Sequence, residues 1–241
     1  MEAPAASLRG PRPRRPWAAG HATRAPNVTA AARPCYRACV ERPSDPPRST
    51  TLVIAATVFY GLMSVAAVVV LLLSDLDPGL VVFGPSLVDV AEGRAAPMPL
   101  GHPLSALLGA AAGAAVVALS LVLRRYGPID RLQKEFGAVL GELSTGIVAV
   151  LAVTSAVGEE LLFRGALQPL VGFWPTAILF GLLHGGGAPR LFAWTVFAFL
   201  SGLLLGWLAD FTGSLLAPIL CHLTINFWNL QAIGAPREAP P

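Results

Sequence analysis

The stretch Ile147-Val-Ala-Val-Leu-Ala-Val-Thr-Ser-Ala-Val-Gly-Glu159-Glu160-Leu-Leu-Phe-Arg164-Gly-Ala166 sets three ionisable side chains inside an apolar run. The run extends over roughly 142–166, and a helix that spans the hydrocarbon of a bilayer takes about 20 mostly apolar residues. A charge at membrane depth costs on the order of 3 kcal/mol on insertion scales, so such residues mark function by default. Two adjacent carboxylates are harder still, because each disfavours ionisation of the other. Glu160 and Arg164 are four apart and share a helix face, where they can pair. Glu159 is turned about 100° away and meets a different neighbour. One carboxylate can thus be neutralised structurally while the other stays free, which suits a general base at near-neutral pH.

The rest of the chain places this run in a membrane. Of 241 residues, 54% are apolar and 13% are charged, against about 25% charged in soluble globular proteins. The mean hydropathy is +0.64. These values exclude a soluble fold of this size and a wholly disordered chain. The expected fold class is all-α, a polytopic transmembrane helical bundle of about six spans behind a disordered basic N-terminal tail. The apolar runs are 51–73, 103–123, roughly 142–166, 172–186, 191–209 and 214–232, the fourth of them short for a span. Leu80–Val90 is too short to cross and is expected to pack at the interface. Gly109-Ala-Ala-Ala-Gly113 is a small-xxx-small stripe that lets two helix backbones approach closely.

Four segments follow: a Pro/Ala/Arg-rich tail (1–50), two N-terminal transmembrane helices with their connectors (51–137), a helical core (138–232) and a short tail (233–241). Nine of the 17 basic residues lie in the first 50, opposed by Glu2, Glu41 and Asp45. This basic arm reads as a segment lying against anionic lipid, not as a nucleic-acid surface, and no nucleic-acid partner is expected. Cys35 and Cys39 have no second ligand pair nearby, so a zinc site there is disfavoured. The arm and the loop Arg124–Lys134 are the two basic segments, separated by two crossings and the acidic connector 74–102. The positive-inside rule therefore predicts both basic segments, and the N-terminus, to be cytoplasmic. On that topology Glu159 falls nearer the extracytoplasmic end of its helix, unless 79–91 hides a further crossing or 129–143 folds back. One Lys against sixteen Arg, in an Ala/Pro-rich chain, points to a high-GC bacterium and to its inner (cell) membrane.

Two further polar groups lie in the apolar runs. Phe180-Gly-Leu-Leu-His184 puts a histidine near the end of the fourth, and His222-Leu-Thr-Ile-Asn226 puts a histidine and an amide one turn apart on the sixth. A lone membrane histidine is usually a packing hydrogen-bonder. Two histidines, an Asn and a Glu pair on three helices point instead to a site.

The three motifs, with Phe163-Arg164-Gly165 and the approach Gly206–His222 flanking them, resemble those of the CPBP family. These are the CAAX-protease and bacteriocin-processing (Abi) intramembrane proteases that include the Ras-converting type, with motifs EExxxR, FxxxH and HxxxN/D. The resemblance covers about 150–230. It implies an intramembrane endopeptidase acting on a membrane-associated protein or peptide. In that role Glu159, helped by His184, would activate a water, His222 and Asn226 would stabilise the oxyanion, and Glu160 and Arg164 would orient the site. As cofactor it leaves two options: none, or a zinc ion on Glu159, His184 and His222 with one position open for water. In a bacterium, prenylated CaaX substrates are improbable, and membrane peptides, bacteriocin immunity or C-terminal sorting tails fit better. A non-catalytic membrane immunity or partner protein keeping the fold, or a transporter, would also carry buried carboxylates.

Overall fold

In the computed structural model, residues 48–74, 76–85, 90–93, 98–124, 127–185 and 189–233 are described. The chain divides into two units, Met1–Ser44 and Asp45–Pro241, and every described residue lies in the second. Almost all of the expected tail, the Cys35/Cys39 pair included, falls outside the described residues. Residues 48–50 already belong to the first helix.

Regular structure among the described residues is entirely helical. The helices are α1 (Arg48–Leu73), α2 (Pro78–Phe83), α3 (Gly101–Leu123), α4 (Gly127–Leu140), α5 (Thr145–Glu160), α6 (Gln168–Val171), α7 (Phe173–Gly185), α8 (Phe192–Thr212) and α9 (Leu216–Ile233). A π-helical segment, Leu161–Leu167, joins α5 to α6, and a short 3-10 turn, Pro189–Leu191, precedes α8. Proline marks many of the starts. Pro78, Pro103, Pro128, Pro175 and Pro218 sit within the first three residues of their helices, where a missing N–H forfeits no intrahelical bond. Asp77 caps α2 by accepting from Gly79 N at 2.7 Å, and Ser144 caps α5 by accepting from Ile147 N at 3.4 Å.

Among the described residues, four helical stretches are long and apolar enough to cross a membrane: Thr50–Leu73, Gly101–Leu123, Thr145–Val171 and Pro189–Thr212. The other two expected runs also fold as helices, α7 being shorter and α9 carrying His222 and two asparagines. Side-chain distribution is inverted relative to a soluble protein. Ile54, Val58, Phe59, Leu62 and Leu72 on α1 are exposed, as are Leu104, Leu107 and Leu119 on α3, whereas Glu160, Arg164 and His222 are buried. Such an arrangement suits a lipid surround. The protein is an integral membrane protein.

Two expectations change in the structure. The third run does not end at 166: the π segment carries it through to Val171, so Glu159 is the fifteenth residue of the 27-residue stretch Thr145–Val171. Glu159 therefore stands near mid-helix, not near an end. The 127–140 segment, read as a loop and connector, is the helix α4, strongly amphipathic, with Arg131, Lys134 and Glu135 turned outward and Leu132 and Phe136 turned toward the bundle. α2, at six residues, is too short to cross.

Helices approach closely where the sequence supplies glycine. A Cβ on Gly113 would lie 2.7 Å from the Cys221 carbonyl oxygen and 2.8 Å from Thr224 Cβ, and one on Gly109 would collide with the Ala217 backbone. The small-residue stripe of α3 is thus the face on which α9 lies, beside a core of Leu205, Leu208, Ala217, Cys221 and Ile225. Without a hydrophobic force between helices in lipid, this close packing supplies much of the association. Gly113→Leu is expected to destabilise by about 1–3 kcal/mol through overpacking, read as a lower Tm of the detergent-solubilised protein. Gly61→Leu, on a part of α1 where no atom lies within 4 Å of the new Cβ, is expected to leave the Tm unchanged.

Candidate active site

The site is assembled from three helices around α5. Glu159 and Glu160 end α5, His184 lies in the last turn of α7, and His222 lies in the second turn of α9. The two carboxylates diverge. Glu160 Oε1 accepts from Arg164 Nη1 at 3.0 Å, with both side chains fully buried, and from His222 Nδ1 at 2.7 Å. Arg164 Nη2 donates to the Gly202 carbonyl at 3.2 Å, and its guanidinium lies 4.3 Å from the centroid of the Phe180 ring. Phe180 meets Phe163 edge-on at 5.0 Å. One buried carboxylate is thereby matched by one cation whose charge also has an aromatic face and a carbonyl.

Glu159 faces the other way, onto the histidines. Its Oε2 stands 3.4 Å from His184 Nε2 and 3.9 Å from His222 Nε2. The ring orientations are fixed from behind. His184 Nδ1 lies 2.7 Å from the Phe180 carbonyl oxygen, which can only accept, so Nδ1 carries a proton and donates it. The same logic gives His222 a proton on Nδ1, donated to Glu160. The Nε2 atoms of both rings then face Glu159 Oε2. Asn226 Nδ2 donates to Ser155 Oγ at 2.9 Å, and Ser155 donates in turn to the Ala152 carbonyl at 3.3 Å.

These groups line one cavity of about 720 Å³, shared by Glu159, His184, His222, Asn226, Ser155 and Tyr60. Of the sequence-derived candidates, Glu159, His184, His222 and Asn226 reach the cavity, and Glu160 and Arg164 stand behind it. The three residues of the alternative zinc set, Glu159, His184 and His222, face one another across the cavity. Among the described residues no group of three or more His, Cys, Asp or Glu side chains is arranged to hold a metal ion.

Sequence reasoning missed three groups. Ser155 lies one turn before Glu159 on the same face, and a hydroxyl at that spacing in an apolar run was the available signal. Tyr60 on α1 interacts with Glu159 through its hydroxyl, and no local pattern announces it. Gln168, one turn beyond Arg164, donates to the Gly206 carbonyl at 3.1 Å and to Asp210 Oδ1 at 2.7 Å. Asp210, exposed in the last turn of α8, is thereby tied to the end of the Leu161–Leu167 segment.

Fold and site together define an integral membrane protein that holds an ionisable cluster in an internal cavity at mid-helix depth. Residues 141–228 match the family model described as Rce1-like, type II CAAX prenyl endopeptidase Rce1-like. The resemblance of the three motifs to the CAAX-protease (CPBP) family is shown over that segment. A curated relative, the uncharacterised protein YpbD of Bacillus subtilis (strain 168), is 33% identical over 81 residues, which are 33% of this chain and 41% of that protein. The chain thus spans about two fifths of that relative's length. No solved structure matches the chain significantly.

Replacing Arg164 by Met leaves Glu160 buried without its cation and is expected to cost about 3–5 kcal/mol, seen as a large fall in Tm. The double variant Glu160→Gln/Arg164→Met removes both charges and is expected to recover part of that loss, a coupling that the double-mutant cycle measures directly.

Proposed function

We propose that the protein is an intramembrane endopeptidase that hydrolyses a peptide bond in a membrane-associated protein or peptide, with Glu159 as general base. One observation carries the reading: Glu159, His184 and His222 arrive from α5, α7 and α9 at a single point in a mainly apolar cavity. The family match over 141–228 supports it.

A water on the cavity side of Glu159 Oε2 and His184 Nε2, which stand 3.4 Å apart, reaches both atoms. Glu159 takes its proton as the oxygen bonds to the scissile carbonyl carbon, and the carbonyl π-electrons move onto oxygen. The tetrahedral intermediate collapses with cleavage of the C–N bond, and Glu159 returns the proton to the leaving nitrogen. The oxyanion needs donors. Asn226 has a second Nδ2 hydrogen beyond the one given to Ser155. His222 can donate from Nε2 only when doubly protonated, because its Nδ1 proton is held by Glu160, and that carboxylate is placed to support the added charge. A single well-aimed donor in such a site is worth about 3–4 kcal/mol. The chain's own residues suffice for these steps without a metal. The membrane is taken to be a bacterial inner membrane with the N-terminus cytoplasmic, as the basic segments indicate.

Glu159→Gln is expected to abolish cleavage, and Asn226→Ala to lower kcat by about 10²–10³. Both are read by comparing the termini of membrane proteins in cells expressing the wild type or the variant. Cleavage that continues at the wild-type rate in Glu159→Gln refutes the peptidase and favours a non-catalytic membrane partner. Treatment of the purified protein with a strong zinc chelator is expected to leave cleavage intact; a loss restored by zinc refutes the metal-free route.

A further inference from the structure

The cavity has two kinds of wall. Most of the polar cluster comes from the matched segment 141–228, joined by Tyr60 of α1, whereas apolar lining is added from outside that segment by Leu52 and Ala56 on α1 and Leu132 and Phe136 on α4. One contact closes the two walls onto each other. The Phe136 ring meets the Trp194 indole of α8 edge-on at 5.3 Å, and the indole lies 6.0 Å from the His184 ring. Trp194 is held from behind by a stacked contact with Phe197 at 5.5 Å. Two half-buried aromatic side chains therefore stand beside the histidine that faces Glu159, with apolar surface all around them.

A peptide carbonyl placed at Glu159 must lay an adjoining side chain against this wall. Aromatic rings are bulky and rigid, and the pair is braced on the one side by Phe197 and on the other by the amphipathic helix α4. We propose that the Phe136–Trp194 pair determines specificity by limiting the size of the apolar substrate side chain that fits beside His184. The inference rests on the peptidase reading above, and it assigns selection to α4, a helix outside the matched segment.

The test uses the full-length protein reconstituted in vesicles with synthetic apolar peptides of about 20 residues, each carrying Ala, Val, Leu, Phe or Trp at the central positions. Cleavage sites and rates are read by mass spectrometry. Wild type is expected to prefer the small residues at one position flanking the cut. Phe136→Ala and Trp194→Ala are expected to raise the relative rate for Phe and Trp at that position by about tenfold or more, the scale on which apolar pockets discriminate by volume. Phe136→Leu, which keeps an apolar packing partner for Trp194, is expected to shift the ratio in the same direction by less. It also carries the test if an Ala variant fails to fold. Cleavage with an unchanged size preference in the variants overturns the proposal and leaves the peptidase standing. A wild type that cleaves no peptide, like Glu159→Gln, overturns the peptidase reading and size selection with it.

Discussion

Glu160 Oε1 is the atom at which three helices are tied. It accepts from Arg164 one turn along its own chain and from His222 on α9, while the other end of the guanidinium holds the Gly202 carbonyl of α8. In water each of these groups could exchange its partner for solvent, but inside a bilayer no such partner is at hand. Breaking one contact therefore strands a buried charge or donor, and the geometry of the site inherits that rigidity. The structural carboxylate also sets the chemistry of its neighbour. By taking the Nδ1 proton of His222 it turns Nε2 toward Glu159.

The backbone bends to allow this. A π-helical segment over Leu161–Leu167 follows directly on the two glutamates, and such segments are rare and frequent at functional sites. It ends just before Pro169, which lacks the N–H that a regular α-helix would use there. Within it Arg164, and one turn later Gln168, reach carbonyls of α8 four residues apart, those of Gly202 and Gly206. Small residues make the approaches short. Gly158, next to Glu159, has the Tyr60 carbonyl oxygen 2.7 Å from where a Cβ would be, which keeps α1 against the site. Close helix packing and the most expensive charges thus coincide in space.

Much of this was legible in the residues, and the limits follow from what a sequence encodes locally. Composition and run length sufficed for a membrane helix bundle, because both reflect the solvent that every residue meets. The Glu160–Arg164 contact was readable because four residues is one helical turn. The glycine stripe on α3 was readable as a packing face, though not as the face of α9. The π segment was not, since Leu-Leu-Phe-Arg-Gly-Ala-Leu carries no local signal for it, and so the depth of Glu159 was misjudged. α4 was hidden by its charges, which made a short amphipathic helix look like a basic loop. Tyr60 and Ser155 gain their meaning only from partners about 100 and 71 residues away, a separation to which no periodicity extends.

The two histidines close the physical argument. Each has given its Nδ1 proton to an acceptor that cannot return one, a carbonyl for His184 and a carboxylate engaged with Arg164 for His222. Both Nε2 atoms then face the same oxygen of Glu159, and a carboxylate facing two ring nitrogens needs protons shared among them, with the Tyr60 hydroxyl of α1 a further donor there. A shared proton or a water meets that need. The cluster thus holds its protons among Glu159, the two rings and Tyr60, in a cavity with room for a chain segment beside it. Each ring faces an acceptor from both of its nitrogens, so the bundle spends its scarce polar contacts on holding a place where protons can be shared.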